Sequence, residues 1–316
     1  MTAELPSIPP SFPAPSLRRS LPGGMAIDRW HAPDGWPLRR FALPHRGEWR
    51  GSVLFLGGRA DFLEKYLEAF DDWAGAGWAV AGFDWRGQGA SGLLHPAGGC
   101  HIDDFAVFAD DLAAFVADWQ RENPAPHVVI GHSLGGHILL RAVVERRIGP
   151  DGIVLLAPML GIRAGPLRGR AIGALGQIGR VPALRRRTIW SRSRSPGPGR
   201  ITSCPDRDED KRWWKEACPE LARSGPTWGW LSAATRSIAH VERMLDEYPA
   251  GLRGLTVTAG LDPVVDNTAI ARVLARLPAM EHADIAGAGH EILRERDELR
   301  IAALDCIRRF LSETAI

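Results

Sequence analysis

Between residues 51 and 158, short runs rich in Val, Ile and Leu alternate with longer stretches of helical period, and this alternation narrows the possible folds more than any other feature. GSVLFLGG, WAVAGFDW, HVVIGHS and GIVLLAP are the short runs. FLEKYLEAFDDWAGAG, the segment 104–119 and a stretch from Leu134 to about Arg147 lie between them. Phe62, Tyr66, Phe70 and Trp73 make one apolar stripe at helical spacing, and Phe105, Phe108, Leu112, Phe115 and Trp119 make a second. Strand and helix in strict alternation predict βαβ units, hence an α/β fold with a mostly parallel sheet covered by helices. The pattern resumes with LTVTAG, a helix after Asn267, the strand-like EHADIAG and a last helix carrying Leu299, Leu304, Ile307 and Phe310.

From 159 to 251 no comparable strand appears, so the chain divides into a core, 25–158 with 252–316, and an insertion, 159–251. The proline-rich residues 1–24 are expected to be an extended or disordered tail outside the fold. They lack the continuous apolar stretch of a secretory signal, and no apolar run approaches the roughly 20 residues needed to span a bilayer. The four cysteines form no C-x-x-C pair and sit in a 316-residue chain with no need of a disulfide framework. A cytoplasmic setting is the expectation.

VVIGHSLGGH, residues 128–137, places Ser133 where a buried strand turns sharply into a helix. That is the context of a nucleophile elbow, with Gly131 and Gly135 letting strand and helix approach closely. The helix starting at Leu134 points its positive dipole end at charge that develops on an acyl group. A serine hydroxyl needs a base, and the base needs a carboxylate to fix its tautomer. His290, in IAGAGHEIL, and Asp262, in TAGLDPVVDN, follow in the right order and in loops beyond strands. Asp266 competes with Asp262 but sits at a helix N-cap position. His282, His132 and His137 compete with His290, but the first precedes or begins a strand and the other two flank the serine facing elsewhere.

These residues resemble the α/β-hydrolases of the monoglyceride lipase and lysophospholipase type, grouped with the serine aminopeptidases, over about residues 40 to 310. GHSLGG resembles the family's elbow, DWRGQGASG its D-x-R-G-H-G-x-S segment, and GLDPVVD and GAGHEIL its acid and histidine loops. LGGRADFLEKY occupies the place of its H-G-x-G-E-H-x-x-R-Y stretch, with Gly57 and Gln88 standing where the family has histidines. The resemblance implies an α/β-hydrolase fold, a Ser133–Asp262–His290 triad, and an oxyanion hole from the backbone N–H groups of Arg59 and Leu134. It also makes 159–251 the cap, with Trp213, Trp214, Trp228 and Trp230 as candidate lining for an acyl chain. No metal and no organic cofactor are implied.

The net charge of +2 hides an uneven distribution. Arg163, Arg168, Arg170, Arg180, Arg185, Arg186, Arg187, Arg192, Arg194 and Arg200 follow one another with no acidic residue between them. The run reads as a solvated cap surface, as a patch for anionic membrane or headgroups on the inner membrane face, or as a nucleic-acid patch. No recognition motif accompanies it, so no nucleic-acid partner is expected. The expected activity is hydrolysis of a carboxylic ester, of lysophospholipase or monoacylglycerol lipase type. The alternatives are a peptidase or acyltransferase on the same triad, and a non-catalytic surface protein on the same fold.

Overall fold

The structure, a computed structural model, describes residues 17–95, 99–189 and 201–315. In chain order the first half contains β1 (Ala26–His31), β2 (Pro37–Leu43), β3 (Gly51–Leu56), α1 (Leu67–Gly75), β4 (Trp78–Phe83) and β5 (Gly99–Cys100). Then come α2 (Ala106–Glu122), β6 (His127–His132), α3 (Leu134–Val144) and β7 (Gly152–Leu156). The middle segment holds β8 (Arg163–Ala164), β9 (Leu167–Arg168), α4 (Arg170–Gly176), α5 (Pro182–Arg185), α6 (Pro205–Ala217), β10 (Ser224–Pro226) and α7 (Trp228–Met244). The chain closes with β11 (Arg253–Ala259), α8 (Asn267–Leu274), β12 (Met280–Ile285) and α9 (Asp297–Thr314).

Eight strands form one sheet in the order β1-β2-β4-β3-β6-β7-β11-β12, parallel from β4 to β12 and antiparallel at the β1, β2 edge. Every residue of β3 and β7 is buried, as parallel strands covered on both faces require, whereas β1 at the edge is mostly exposed. The two predicted aromatic stripes are buried: Phe62, Tyr66, Phe70 and Trp73 on one side, Phe105, Phe108, Leu112, Phe115 and Trp119 on the other. After β4 the chain crosses back over β3 to reach β6, so the sheet order reverses at β3. Ligands of open α/β sheets bind beyond the carboxyl ends of strands at such a switch point. The loops after β3, β6, β11 and β12 all emerge there.

The described residues of 159–251 contribute no strand to the large sheet; β10 pairs with β5 and β8 with β9. Helix α7 rests on α3 through Ser237, whose Oγ meets His137 Nε2 at 2.8 Å and Arg141 Nη1 at 3.0 Å. Burial, reinforced by Arg141, holds His137 down at about 3, so it packs as a neutral ring at pH 7.

One expectation is corrected. Residues 17–24 were assigned to the tail, and instead they turn and pack on α6. Arg18 and Arg19 each reach the buried Asp210 at 2.5 Å, Arg19 lies over the Trp213 ring, and Trp214 Nε1 donates to the Arg18 carbonyl at 2.9 Å. A buried carboxylate requires paired cations, and the N-terminal segment supplies both. Residues 1–16 of the proposed tail, and Arg192, Arg194 and Arg200 of the arginine run, lie outside the described residues.

Candidate active site

Ser133 follows β6 directly and has φ 53° and ψ −111°, a conformation rarely adopted by residues other than glycine. The turn closes only because its neighbours are glycines. A Cβ at Gly131 would lie 2.6 Å from Gly135 carbonyl carbon, and one at Gly135 would lie 2.3 Å from the Leu56 carbonyl oxygen. Strand, helix and β3 are therefore pressed together, and the hydroxyl is presented over the sheet edge.

His290 Nε2 lies 2.9 Å from Ser133 Oγ, and His290 Nδ1 lies 2.7 Å from Asp262 Oδ2. All three residues are buried. A carboxylate can only accept, so Nδ1 carries the ring proton and Nε2 is free to accept the serine proton. Asp262 Oδ1 accepts from the Val264 and Val265 N–H groups at 2.7 and 2.9 Å. Burial alone would push this carboxyl up, but His290 and those two amides outweigh it and hold it below the usual carboxylate range. The competitors are occupied elsewhere. Asp266 caps α8 by accepting from the Thr268 N–H, and His282 on β12 meets Thr258 Oγ1 of β11.

The loop after β3 runs beside the serine: a Cβ at Gly58 would lie 3.2 Å from Ser133 Cβ. Most of its polar groups are committed. Trp85 Nε1 donates to the Gly57 carbonyl at 2.8 Å, the Gly58 N–H donates to Asp61 Oδ2 at 2.7 Å, and the Ala60 N–H donates to Gln88 Oε1. Gln88 thus ties down the loop from the position where the family has a histidine. Among the described residues, the Arg59 N–H has no hydrogen-bond partner, and the Leu134 N–H belongs to the first turn of α3, which has no intrahelical acceptor. These are the two donors expected from the sequence.

A buttress beneath this arrangement was not foreseen. His132 Nε2 donates to the His290 carbonyl at 3.0 Å, while its Nδ1 faces Tyr66 Oη at 3.0 Å and Asp61 Oδ2 at 3.2 Å. Lys65 Nζ, with only 3% of its side chain exposed, bridges Asp61 and Glu291, the latter at 2.6 Å. The Arg294 guanidinium also pairs with Glu291. Burial would raise both carboxyls, yet Lys65 overrides it and keeps Asp61 and Glu291 well below their usual range. The loop before the helices and the loop of His290 are thereby locked to one another across 226 residues of sequence. Replacing Lys65 by Met would leave the buried Asp61 without its cation and Glu291 with Arg294 alone, and the cost is expected to be about 3–5 kcal/mol in chemical denaturation, with Lys65→Arg much milder. A cost under about 1 kcal/mol would mean that water reaches the pair.

The four tryptophans separate. Trp213 and Trp214 stack edge to face at 5.0 Å and contact the N-terminal segment; the Trp228 N–H donates to the Arg187 carbonyl. Trp230 meets the loop after β3, with the Arg59 guanidinium over its ring at 5.8 Å and Phe105 against it at 5.5 Å.

A hydroxyl, an imidazole and a carboxylate in this relay, beside two unpaired amides, can carry out acyl transfer. Residues 47–297 match the family model described as serine aminopeptidase, S33. The chain belongs to this family. Lysophospholipase L2 of Escherichia coli strain K12 is 31% identical over 319 residues, covering 88% of this chain and 85% of its own length. Probable lysophospholipase L2 of Haemophilus influenzae is 24% identical over 83% of this chain and 84% of its own. In fold, this S33 member superposes on a soluble variant of monoglyceride lipase from Saccharomyces cerevisiae with a TM-score of 0.75 at 16% identity, covering 95% of this chain and 99% of that one. The α/β-hydrolase fold expected from the sequence is thus the fold observed.

Proposed function

We propose that this protein hydrolyses the carboxylic ester of single-chain lipids, as a lysophospholipase or monoacylglycerol lipase, through Ser133, His290 and Asp262. The observation that carries the reading is His290, which bridges Ser133 Oγ at 2.9 Å and Asp262 Oδ2 at 2.7 Å. The names of the relatives, lysophospholipase and monoglyceride lipase, support the substrate class. His290 Nε2 takes the proton as Ser133 Oγ attacks the ester carbonyl, and Asp262 stabilises the imidazolium. The Arg59 and Leu134 N–H groups receive the oxyanion. His290 then returns its proton to the departing glycerol oxygen, leaving an acyl-serine that water, activated by the same imidazole, hydrolyses. Residues 159–251 act as a cap over this site, with Trp230 nearest the reacting loop.

Matched long-chain monoacylglycerol and lysophospholipid, with a short-chain ester for reference, test the assignment. Turnover of the long-chain lipids with a kcat/KM at least comparable to the short ester is expected; turnover of the short ester alone would reject the lipid reading.

The arginine run of the cap is proposed as a contact for anionic membrane. Arg163, Arg168, Arg180, Arg185, Arg186 and Arg187 are exposed, and among the described residues Arg168, Arg180, Arg186 and Arg187 have no carboxylate partner. Leu167 and Val181, between them in sequence, are 42% and 46% exposed, offering aliphatic groups beside the charges. No helix among the described residues is long and apolar enough to cross a membrane. Each arginine near an anionic surface contributes about 1 kcal/mol, so four are enough for peripheral attachment. Co-flotation with phosphatidylglycerol vesicles, lost on pure phosphatidylcholine and in a variant with these four arginines changed to Gln, is the expected result. Equal flotation on both vesicles would refute the contact.

A further inference from the structure

We infer that the side chain of Arg59 recognises the phosphate of a lysophospholipid headgroup and so sets the preference of this site for phosphate-bearing over neutral monoacyl lipids. The inference rests on the ester-hydrolase reading and names the substrate within it.

Arg59 is half-buried in the loop that passes Ser133, and among the described residues its guanidinium has no acidic partner. Its contacts are the face of Trp230 at 5.8 Å and Cys100 Sγ at 3.9 Å from Nη1. A thiol is a weak acceptor, so almost all of the five guanidinium donors lack a strong acceptor. Most other arginines drawn this far into the molecule are neutralised: Arg39 by Glu64 and Asp84, Arg86 by Asp34 and Asp111, Arg207 by Glu68 and Asp297. Partial burial without a counter-charge costs desolvation, and the cost is recovered when a ligand brings the anion.

A second donor is left over at the same place. Trp230 is 4% exposed, and its Nε1 is buried with no hydrogen-bond partner among the described residues. The charged groups around it are mostly cationic: His101, whose Nδ1 lies 2.7 Å from Thr227 Oγ1 below Trp230, is held down by burial against the opposing pull of Asp103, with Arg186 and Arg185 nearby adding to the lowering. The acidic group on this side is Asp103, half exposed, which lies 3.1 Å from His101 Nε2 and is paired with Arg185 at 2.6 Å.

The chemistry of the substrate fits this vacancy of charge. The Arg59 N–H is proposed to hold the scissile carbonyl oxygen, so its side chain begins one residue's reach from the ester. In a lysophospholipid the phosphodiester stands a glycerol backbone away from that ester, whereas a monoacylglycerol carries only a hydroxyl there. A planar guanidinium fork matches two phosphate oxygens, and Arg59 is already placed over an aromatic ring, 5.8 Å from its centre.

Two arms test the inference. In the first, kcat/KM is measured for 1-acyl lysophosphatidylglycerol and for the monoacylglycerol of the same chain, in wild type, Arg59→Gln and Arg59→Lys. Arg59→Gln is expected to lower the ratio of the two constants about ten- to a hundredfold, the worth of one or two charged hydrogen bonds, with Arg59→Lys between. An unchanged ratio, including equal loss on both substrates, would overturn the inference. The second arm needs no turnover. Calorimetry compares octyl ether analogues of the two lipids, which have no ester to cleave, with sn-glycerol 3-phosphate as the free phosphate source. Tighter binding of the phosphodiester ether than of the neutral ether, abolished in Arg59→Gln, supports the inference. Equal binding of both ethers, or Arg59-dependent binding of glycerol phosphate alone, would overturn it. Failure of all lipid turnover with this binding difference intact would count against the ester reading and not against Arg59.

Discussion

Ser133→Ala is expected to lower kcat for every ester by roughly four to six orders of magnitude while leaving the unfolding midpoint close to wild type. Without Oγ no acyl-enzyme forms, and only the two backbone donors and substrate binding remain to assist direct attack by water. The fold should tolerate the change, because alanine and serine meet the same steric demand at φ 53° and Ser133 Oγ bonds only His290 in the described structure. Turnover within tenfold of wild type would remove Ser133 from the mechanism.

Asp262→Asn is expected to cost roughly three to four orders of magnitude, with KM changed far less. The reason lies in how the carboxylate is held. Oδ1 accepts from two backbone N–H groups, so the amide oxygen of Asn must take that place and turn its NH₂ toward His290 Nδ1. Nδ1 then has to accept, and the ring proton moves to Nε2, where it faces Ser133 Oγ and cannot remove its proton. Asp262→Ala lacks the misdirecting donor and is predicted to be no worse than Asp262→Asn. If Asp262→Asn instead kept most activity, Asp262 would be a structural residue of the loop and not the group that sets the tautomer of His290.

The parts of this molecule that could be read in the sequence are those encoded locally. Strand runs, the glycines around Ser133, and the loop positions of Asp262 and His290 are each written within a dozen residues, and their order along the chain constrains them jointly. Asp266 could be set aside because an N-cap has its own short signature, and the structure gives it that role. The buttress escaped for the opposite reason. Asp61, Glu64 and Lys65 sit in a stretch of helical period, where charged residues ordinarily face water; their burial depends on Arg39, His132 and Glu291, far away in sequence. Residues 17–24 escaped too, since proline-rich composition carries no trace of a partner such as Asp210. Trp213 and Trp214 read in the sequence as candidate lining for an acyl chain; composition does not specify which surface an aromatic side chain meets, and in the structure they meet the N-terminal segment.

The most direct test of the central claim is to treat the protein with a fluorophosphonate and locate the adduct by peptide mass spectrometry. The mechanism predicts one adduct, on Ser133, formed rapidly in wild type and absent or greatly slowed in Asp262→Asn. No adduct, or an adduct on another serine with Ser133 unmodified, would contradict it.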